Sequence, residues 1–134
     1  MTALFADTSF FIAFLNADDQ AYTDAYTYMT RGDIQMLTSE WVLLELGNYL
    51  SRRAGRERFG PLVDDLETDQ RFRIVTANRD DFQDGLGLYH QRQDKHWSMT
   101  DCISFSLMER EGITDALTSD HHFEQAGFRV LLGN

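Results

Sequence analysis

Five short apolar runs, separated by segments of helix length, restrict the folds open to this chain. Apolar runs of about four to eight residues between turn residues are typical of strands buried on both faces. When such strands alternate with helices, they form βα units and so a parallel sheet covered by helices. We therefore predict an α/β fold, a three-layer α/β/α sandwich around a central parallel β-sheet. The predicted strands are residues 3–6, 33–39, 71–77, 113–120 and 128–133.

The segments between these runs carry the start and stop signals of helices. Thr38 or Ser39 and, further along, Asn78 are favoured N-cap residues, and Pro61 suits the first turn of a helix. Gly112 is typical of the position just after a helix. The predicted helices are residues 9–16, 19–32, 40–55, 56–69, 78–94 and 98–111.

Length and composition indicate one folded unit. With 134 residues the chain favours a single domain over residues 1–134. Its 43 % apolar and 13 % aromatic residues exceed what a disordered chain carries. No apolar run approaches the ~20 residues of a membrane span, and the N-terminus lacks the basic start of a signal peptide. The one cysteine, Cys102, cannot form an intramolecular disulfide, so we expect a cytoplasmic protein.

A formal net charge of −10 opposes the binding of nucleic acid, whose affinity comes largely from neutralised phosphates. Two features act against this charge. A metal ion held by clustered carboxylates reverses the local field. The segment "SRRAGRERF" also concentrates Arg52, Arg53, Arg56 and Arg58 around one acid, Glu57. A solvated helix end and a phosphate-binding segment explain this pattern equally well.

Four carboxylates stand at positions of special interest. Asp7, Asp101 and Asp120 lie at predicted strand ends or helix starts, which meet at one edge of a parallel sheet. Glu45 lies in "WVLLELGNYL", a helix that is apolar nearly all round and should be buried. A buried glutamate needs a partner or a metal, because desolvation of its charge costs several kcal/mol.

Each acid also has a purely structural explanation. Asp7 and Asp120 suit N-caps, and Asp101 forms a capping box with Ser98. Glu45 would then pair with Arg52 or Arg53. A single site explains all four acids at once, and oxygen ligands without cysteine suit Mg²⁺ or Mn²⁺. Ions held this way activate a water and stabilise the leaving oxygen of a phosphodiester.

The histidines and the cysteine rank below these acids. His121 and His122 flank Asp120 and are able to touch a substrate, but we expect exposed polar residues of a helix. We expect His90 and His96 to be solvated and Cys102 to lie in the core. No glycine-rich phosphate loop is present in the sequence.

The order of four segments, "LFADTSF", "TSEWVLLELGNYL", "SMTDCISFSLMER" and "ALTSDHHFEQAGFRVL", resembles the PIN-domain ribonucleases. The resemblance extends to the VapC-type toxins of bacterial toxin–antitoxin pairs and spans essentially the whole chain. Its strongest elements are D-T-S after the first strand, T-D at a helix start and T-x-D-x-x-F before the last strand.

The resemblance implies a PIN-like α/β/α sandwich and an endoribonuclease that cleaves single-stranded RNA with a water activated by Mg²⁺ or Mn²⁺. It makes Asp7, Glu45, Asp101 and Asp120 the catalytic, metal-binding acids. The hydroxyl groups that it places around these ligands, to orient them or to hold water, belong to Thr8, Ser9, Ser98, Thr100 and Thr118.

The resemblance also implies partners. A VapC-type toxin has a small antitoxin whose segment covers the acidic site, and its RNA substrate would contact Arg52, Arg53 and Arg56. The apolar-rich helices "AYTDAYTYM" and "WVLLELGNYL" predict a homodimer face. No membrane association is expected.

Two other classes of protein compete with this hypothesis. A phospho-accepting receiver domain is also a small acidic α/β protein with carboxylates at strand ends. It needs a paired acid after the first strand, an acid after the third and a lysine late in the chain. Here the first strand ends in a single acid, the third ends in "TAN", and the only lysine is Lys95, which disfavours this class. The other alternative is a non-catalytic binding module in which the acids are helix caps.

Overall fold

The computed structural model describes residues 2–133 and contains one five-stranded sheet. Its strands are β1 (Thr2–Ala6), β2 (Ile34–Ser39), β3 (Phe72–Val75), β4 (Asp115–Leu117) and β5 (Arg129–Val130). The spatial order is β3-β2-β1-β4-β5, and every neighbouring pair is parallel. The predicted central parallel sheet is confirmed. Because β1 is the middle strand, its carboxyl end lies between those of β2 and β4.

Helices connect the strands and flank the sheet, which confirms the predicted α/β/α sandwich. They are α1 (Thr8–Leu15), α2 (Tyr22–Thr30), α3 (Glu40–Leu50), α4 (Phe59–Thr68), α5 (Arg79–Gln91), α6 (Met99–Glu111) and α7 (His121–Gln125). A 3₁₀ turn, Arg56–Arg58, leads into α4. Within residues 2–133 no helix combines the length and the apolar character that crossing a membrane requires.

The predicted extension of α3 to residue 55 is wrong, because the helix ends at Leu50. The Ser51 hydroxyl donates to the Asn48 carbonyl at 2.8 Å, and the Arg56 guanidinium donates to the Ser51 carbonyl at 2.6 Å. These bonds satisfy carbonyl groups that a longer helix would have used, so the chain turns.

The predicted strand over residues 113–120 is too long at both ends. Ile113 still belongs to the end of α6, since its N–H donates to the Met108 carbonyl at 2.9 Å next to Gly112 in the left-handed region. Beyond Leu117 the chain leaves the strand, and α7 follows as an element that the sequence analysis did not separate from its neighbours.

An aromatic chain in the core fixes α6 and α7 against the middle of the sheet. The Phe5 ring lies 6.3 Å from that of Phe123, which lies 4.9 Å from Phe105, which in turn lies 5.0 Å from Trp97. All four side chains are buried. Aromatic pairs at these distances add to the hydrophobic stabilisation of the core. The starts of α6 and α7 are thereby held near the carboxyl end of β1.

Helices α5 and α6 form an antiparallel hairpin. Asp81, near the start of α5, pairs with Arg110 near the end of α6. Gly85 packs so closely on Ile103 that a Cβ at this glycine would lie 2.4 Å from the Ile103 Cγ1. The connection over residues 92–98 therefore lies beside the first turn of α6, the turn that carries Asp101.

Candidate active site

Asp7 follows β1 directly, and its carboxylate is buried with 5 % of the residue exposed. It occupies the N-cap position of α1, yet its side chain makes no capping hydrogen bond. Instead, its Oδ2 accepts a hydrogen bond from the Thr118 hydroxyl at 2.8 Å. The cap explanation is therefore wrong for Asp7, and its burial needs another reason.

Burial raises the pKa of Asp7 from its ordinary value of 3.8 to about 7. The hydrogen bond from Thr118 and one from the backbone act in the opposite direction and lower this pKa. The charges of Asp101 and Glu45 raise the pKa of Asp7 further. Such a site favours a proton or another cation beside Asp7.

Glu45 projects from α3 toward the start of α1. Its Oε1 accepts a hydrogen bond from the Thr8 hydroxyl at 2.5 Å, and the residue is half-buried. The alternative of an ion pair with Arg52 or Arg53 is wrong in the part of the chain that the structure describes. The Arg53 guanidinium instead stacks 3.7 Å from the centre of the Tyr49 ring and donates to the Tyr49 carbonyl.

Asp101 serves two arrangements at once. Its Oδ2 accepts from the Ser98 N–H at 3.1 Å while the Ser98 hydroxyl accepts from the Asp101 N–H at 3.0 Å, so the predicted capping box is present. The same Oδ2 lies 3.1 Å from the Nδ1 of His122. Burial raises the pKa of Asp101, and the nearby charge of Asp120 also raises it. Capping alone does not explain a buried acid held against other acids.

Asp120 begins α7 and also caps it, since its Oδ1 accepts from the His122 N–H at 2.9 Å. Its own N–H donates to the Thr118 hydroxyl at 3.0 Å. Thr118 therefore contacts both Asp7 and Asp120. One threonine in this way fixes the distance between the acids of the first strand and of the last helix.

His122 is a site residue that the sequence analysis placed on an exposed helix face, and that expectation is wrong. Its side chain is only 21 % exposed, and Nδ1 lies 3.1 Å from Asp101 and 3.4 Å from the Oδ1 of Asp120. The neighbouring His121 is exposed, as expected, with its Nδ1 3.7 Å from Asp120. The sequence feature that could have indicated His122 was its position two residues after Asp120, a predicted metal-binding acid.

The predicted hydroxyl groups do not all contact the acids. Thr8 and Thr118 bind Glu45 and Asp7, and the Ser9 hydroxyl lies 3.0 Å from that of Thr118. Ser98 contacts Asp101 through the capping box. The remaining predicted hydroxyl, that of Thr100, makes no hydrogen bond to a protein atom within residues 2–133, and its role stays a prediction.

The donor set fits a divalent cation. Asp7, Glu45, Asp101 and Asp120 come from four different elements, and among residues 2–133 no arginine or lysine pairs with any of them. A buried carboxylate with a raised pKa, close to two further acids, is the environment that a metal ion would relieve. Within residues 2–133, Asp120, His121 and His122 are the residues that present three ligand atoms within 4.8 Å of one another, and the carboxylates of Asp7, Glu45 and Asp101 do not form such a group.

The PIN-domain family model matches residues 4–129 of this sequence. The chain belongs to the PIN-domain family. PIN domains are metal-dependent nucleases, so the predicted family and enzyme class are confirmed, together with the use of a divalent metal ion by that family.

Individual relatives of this PIN domain agree with the match. The 23S rRNA-specific endonuclease VapC20 of Mycobacterium tuberculosis is 33 % identical over 127 residues, which cover 93 % of this chain and 95 % of the relative. The crystal structure of M. tuberculosis VapC20, described as a Sarcin-Ricin loop cleaving toxin, superposes with a TM-score of 0.85 and 27 % identity. It covers 96 % of this chain and 98 % of its own.

A more distant structure shares the fold. The DNA-bound VapBC structure from Salmonella typhimurium superposes with a TM-score of 0.67 at 15 % identity, covering 98 % of both chains. The α/β/α architecture is therefore that of VapC structures.

Proposed function

We propose that the chain is a Mg²⁺- or Mn²⁺-dependent endoribonuclease that cleaves single-stranded RNA with a metal-activated water. The observation that carries this proposal is the buried carboxylate of Asp7, which caps no helix and has two acids near it. A non-catalytic module gains nothing from this arrangement, since the charge of Asp7 destabilises the fold. We propose that residues 1–134 act as one PIN-like domain.

In this proposal Asp7, Glu45, Asp101 and Asp120 hold the metal. A bound divalent cation supplies Lewis acidity, lowering the pKa of a water and stabilising negative charge on phosphate oxygens. The chain's other residues keep the carboxylates in place. Thr118 orients Asp7, and Thr8 orients Glu45, each by donating a hydrogen bond to a carboxylate oxygen.

His122 has a positioning role in this arrangement. Its ring lies between Asp101 and Asp120 and so sets the distance between the acids that begin α6 and α7. The imidazole nitrogens beside Asp120 favour Mn²⁺ over Mg²⁺, because nitrogen ligands suit transition metals better than magnesium. We therefore expect activity with both ions and a lower metal requirement for Mn²⁺.

We further propose a toxin role with ribosomal RNA as the first substrate to test. The relative VapC20 acts on 23S rRNA, and the VapBC neighbours are toxin–antitoxin structures, which supports a small antitoxin as partner. Cleavage of such RNA would take place in the cytoplasm. An antitoxin gene beside this one, and growth arrest on expression without it, are the expected observations.

A homodimer remains part of the proposal. Tyr26 on α2 is 50 % exposed and Leu44 on α3 is 63 % exposed, so each of the two helices predicted to form the dimer face presents a large apolar side chain to solvent. Light scattering at high concentration should show twice the chain mass, and Leu44→Glu should shift the species toward the monomer. A wild-type monomer under the same conditions would contradict the dimer.

The decisive experiment separates the cap function of Asp101 from its metal function. Labelled single-stranded RNA is incubated with wild type, Asp101→Asn and Ser98→Ala, each with Mn²⁺ or with EDTA. Both variants weaken the capping box, and Ser98→Ala should cost about 1 kcal/mol of stability. We expect Ser98→Ala to keep most of its activity and Asp101→Asn to lose at least about a hundredfold. Equal loss in both variants would make Asp101 a cap and contradict the proposal.

The second candidate, a non-catalytic module, rests on the caps that Asp101 and Asp120 do form. Titration with Mn²⁺ separates it from the nuclease, because helix caps do not bind this ion at micromolar concentration. The receiver alternative fails on topology. The order β3-β2-β1-β4-β5 differs from the 2-1-3-4-5 order of flavodoxin-like receivers.

A further inference from the structure

The connection between α5 and α6 forms one wall of a cleft of about 600 Å³ beside the acidic site. We name it the Lys95 cleft, after the chain's only lysine. Its main lining residues are Tyr89, His90, Arg92, Lys95, His96 and Trp97. Of the chain's 22 acids none lines this cleft within residues 2–133, so the lining is positively charged. The nearest acid in the chain, Asp94, pairs with Arg92, and the charge of Lys95 also lowers the pKa of Asp94.

The cationic groups of the cleft differ in their freedom. Arg92 pairs with Asp94 through contacts of 3.0 and 3.1 Å and lies 5.2 Å from the centre of the Trp97 ring. Lys95 is half-buried and makes no ion pair within residues 2–133. Its ammonium group is thus the cation of the cleft that is available to a phosphate.

The cleft and the acidic site share the first turn of α6. Ser98 lines the cleft, and its N–H donates to the carboxylate of Asp101 at 3.1 Å. Cys102, the residue after Asp101, also lines the cleft, one helical turn beyond Ser98. The Trp97 indole N–H donates to Gln125 of α7 at 3.1 Å, which fixes the floor. A polymer bound at the acids can therefore continue into the cleft.

Two of the three arginines named as candidate RNA contacts, Arg53 and Arg56, are less available. Arg53 is stacked on Tyr49 and bonded to its carbonyl, while Arg56 donates to the Ser51 carbonyl. These donors already serve the end of α3. At Arg53 and Arg56 a phosphate would have to replace a backbone partner. Lys95 does not carry this cost, and neither does Arg52, which is exposed and makes no ion pair within residues 2–133.

We propose that the Lys95 cleft is the subsite that binds the RNA nucleotide next to the scissile phosphate. Lys95 contacts its phosphate, and the ring of Tyr89, which is 44 % exposed and packs edge-on against His90, offers a stacking surface to its base. This inference rests on the proposed nuclease function and adds the path of the substrate strand. Phosphate contact and base stacking are sequence-tolerant, so the cleft contributes affinity and orientation.

The test measures RNA binding separately from cleavage. Anisotropy of a fluorescein-labelled single-stranded RNA is followed with wild type in EDTA at low salt, where metal-dependent cleavage does not occur. We expect Lys95→Glu to weaken binding about tenfold and Lys95→Arg to stay within about twofold of wild type. Lys95→Ala should lower the salt dependence of log K by about 0.7, the value of one single-strand phosphate contact.

Arg79→Glu is the matched control. Arg79 begins α5, at the other end of the helix from Tyr89. Its replacement by glutamate changes the total charge by the same amount as Lys95→Glu. Equal weakening by Arg79→Glu and Lys95→Glu would show a general charge effect and overturn the inference. A cooperative thermal unfolding transition confirms that each variant is folded. Lys95→Arg keeps the positive charge and therefore shows whether charge or the lysine itself is required.

Cleavage with Mn²⁺ completes the design. Lys95→Glu should raise KM about tenfold and leave kcat within about twofold, because the acids are untouched. If RNA binds through Lys95 but is not cleaved, the nuclease function is refuted and the RNA subsite in the Lys95 cleft is retained. If Lys95→Glu does not change cleavage, the RNA subsite is refuted and the nuclease function is retained. Neither binding nor cleavage by wild type would refute both.

Discussion

Removal of the buried negative charge of Asp7 should make this protein more stable. Asp7→Asn keeps the size of the side chain and an oxygen that accepts the hydrogen bond of Thr118. It removes a negative charge from a site that is almost closed to water. We expect the variant to unfold at a higher temperature than wild type at pH 8 without metal, and to have lost the stabilisation that Mn²⁺ gives.

The magnitude and its sign follow from the pKa. In the folded protein the pKa of Asp7 is about 7, and its ordinary value is 3.8. Because the folded state binds the proton more tightly, stability falls as pH rises from about 4 to about 7 and stays reduced above. At about 1.36 kcal/mol for each pKa unit, the full penalty is at most about 4 kcal/mol.

Asparagine recovers only part of this penalty. Its amide N–H₂ is left without an evident acceptor, which costs about 1–3 kcal/mol. We therefore expect a net gain of about 1–3 kcal/mol at pH 8, or about 5–10 °C in Tm for a chain of this size. At pH 4 the wild-type carboxyl is protonated, and the gain should vanish or reverse.

The assay is thermal unfolding by circular dichroism at pH 4 and pH 8, with EDTA or with Mn²⁺. Asp65→Asn, at an exposed position in α4, controls for loss of a negative charge and should leave Tm nearly unchanged at both pH values. Mn²⁺ at a hundred times its Kd should stabilise wild type by about 2.7 kcal/mol and Asp7→Asn much less. An Asp7→Asn variant that is equally destabilised at both pH values would refute this reasoning.

Four further substitutions test packing and polar contacts near the site. Gly85→Ala should lower the free energy of unfolding by about 1–3 kcal/mol, because its Cβ would lie 2.4 Å from the Ile103 Cγ1. Gly87→Ala, where the space is open, should raise it by about 0.5–1 kcal/mol. Equal unfolding midpoints of the two variants in urea would contradict this. Ser104→Ala should gain about 1 kcal/mol, because the buried hydroxyl has no partner within residues 2–133; a loss in the same assay would reveal one. Thr118→Val should weaken Mn²⁺ binding at least about tenfold in calorimetry, as it removes the hydroxyl between two acids; unchanged affinity would contradict its orienting role.

The apolar runs predicted the sheet because burial on both faces leaves a direct trace in the sequence. "LFA" and "QMLTS" are buried almost throughout, and both lie in the centre of the sheet. The limits of the later strands were less predictable. In "ITDALTSD" the same residue types serve the end of a helix, a strand of three residues and a helix cap, and local composition does not separate these uses.

The four acids were predicted from their positions, but their surroundings were not. Hydrogen bonds such as the one from Thr8 to Glu45 join residues far apart in the chain, so no local sequence pattern predicts them. The burial of His122 depends on how α7 packs beside α6, which the sequence of a five-residue helix does not specify. The same holds for the Lys95 cleft, whose walls meet only in the folded hairpin.

The bond between Thr118 and Asp7 joins positions 111 residues apart. β1 can pair with β2 early, but Asp7 receives the hydroxyl of Thr118 only after β4 has been synthesised and has joined β1. Long-range pairing of this kind forms late in folding. For an enzyme proposed to cut RNA this order is protective. A nascent chain in which Thr118 and Asp120 have not yet left the ribosome lacks the contact to Asp7 and one of the four acids, so it would be inert toward the machinery that is making it.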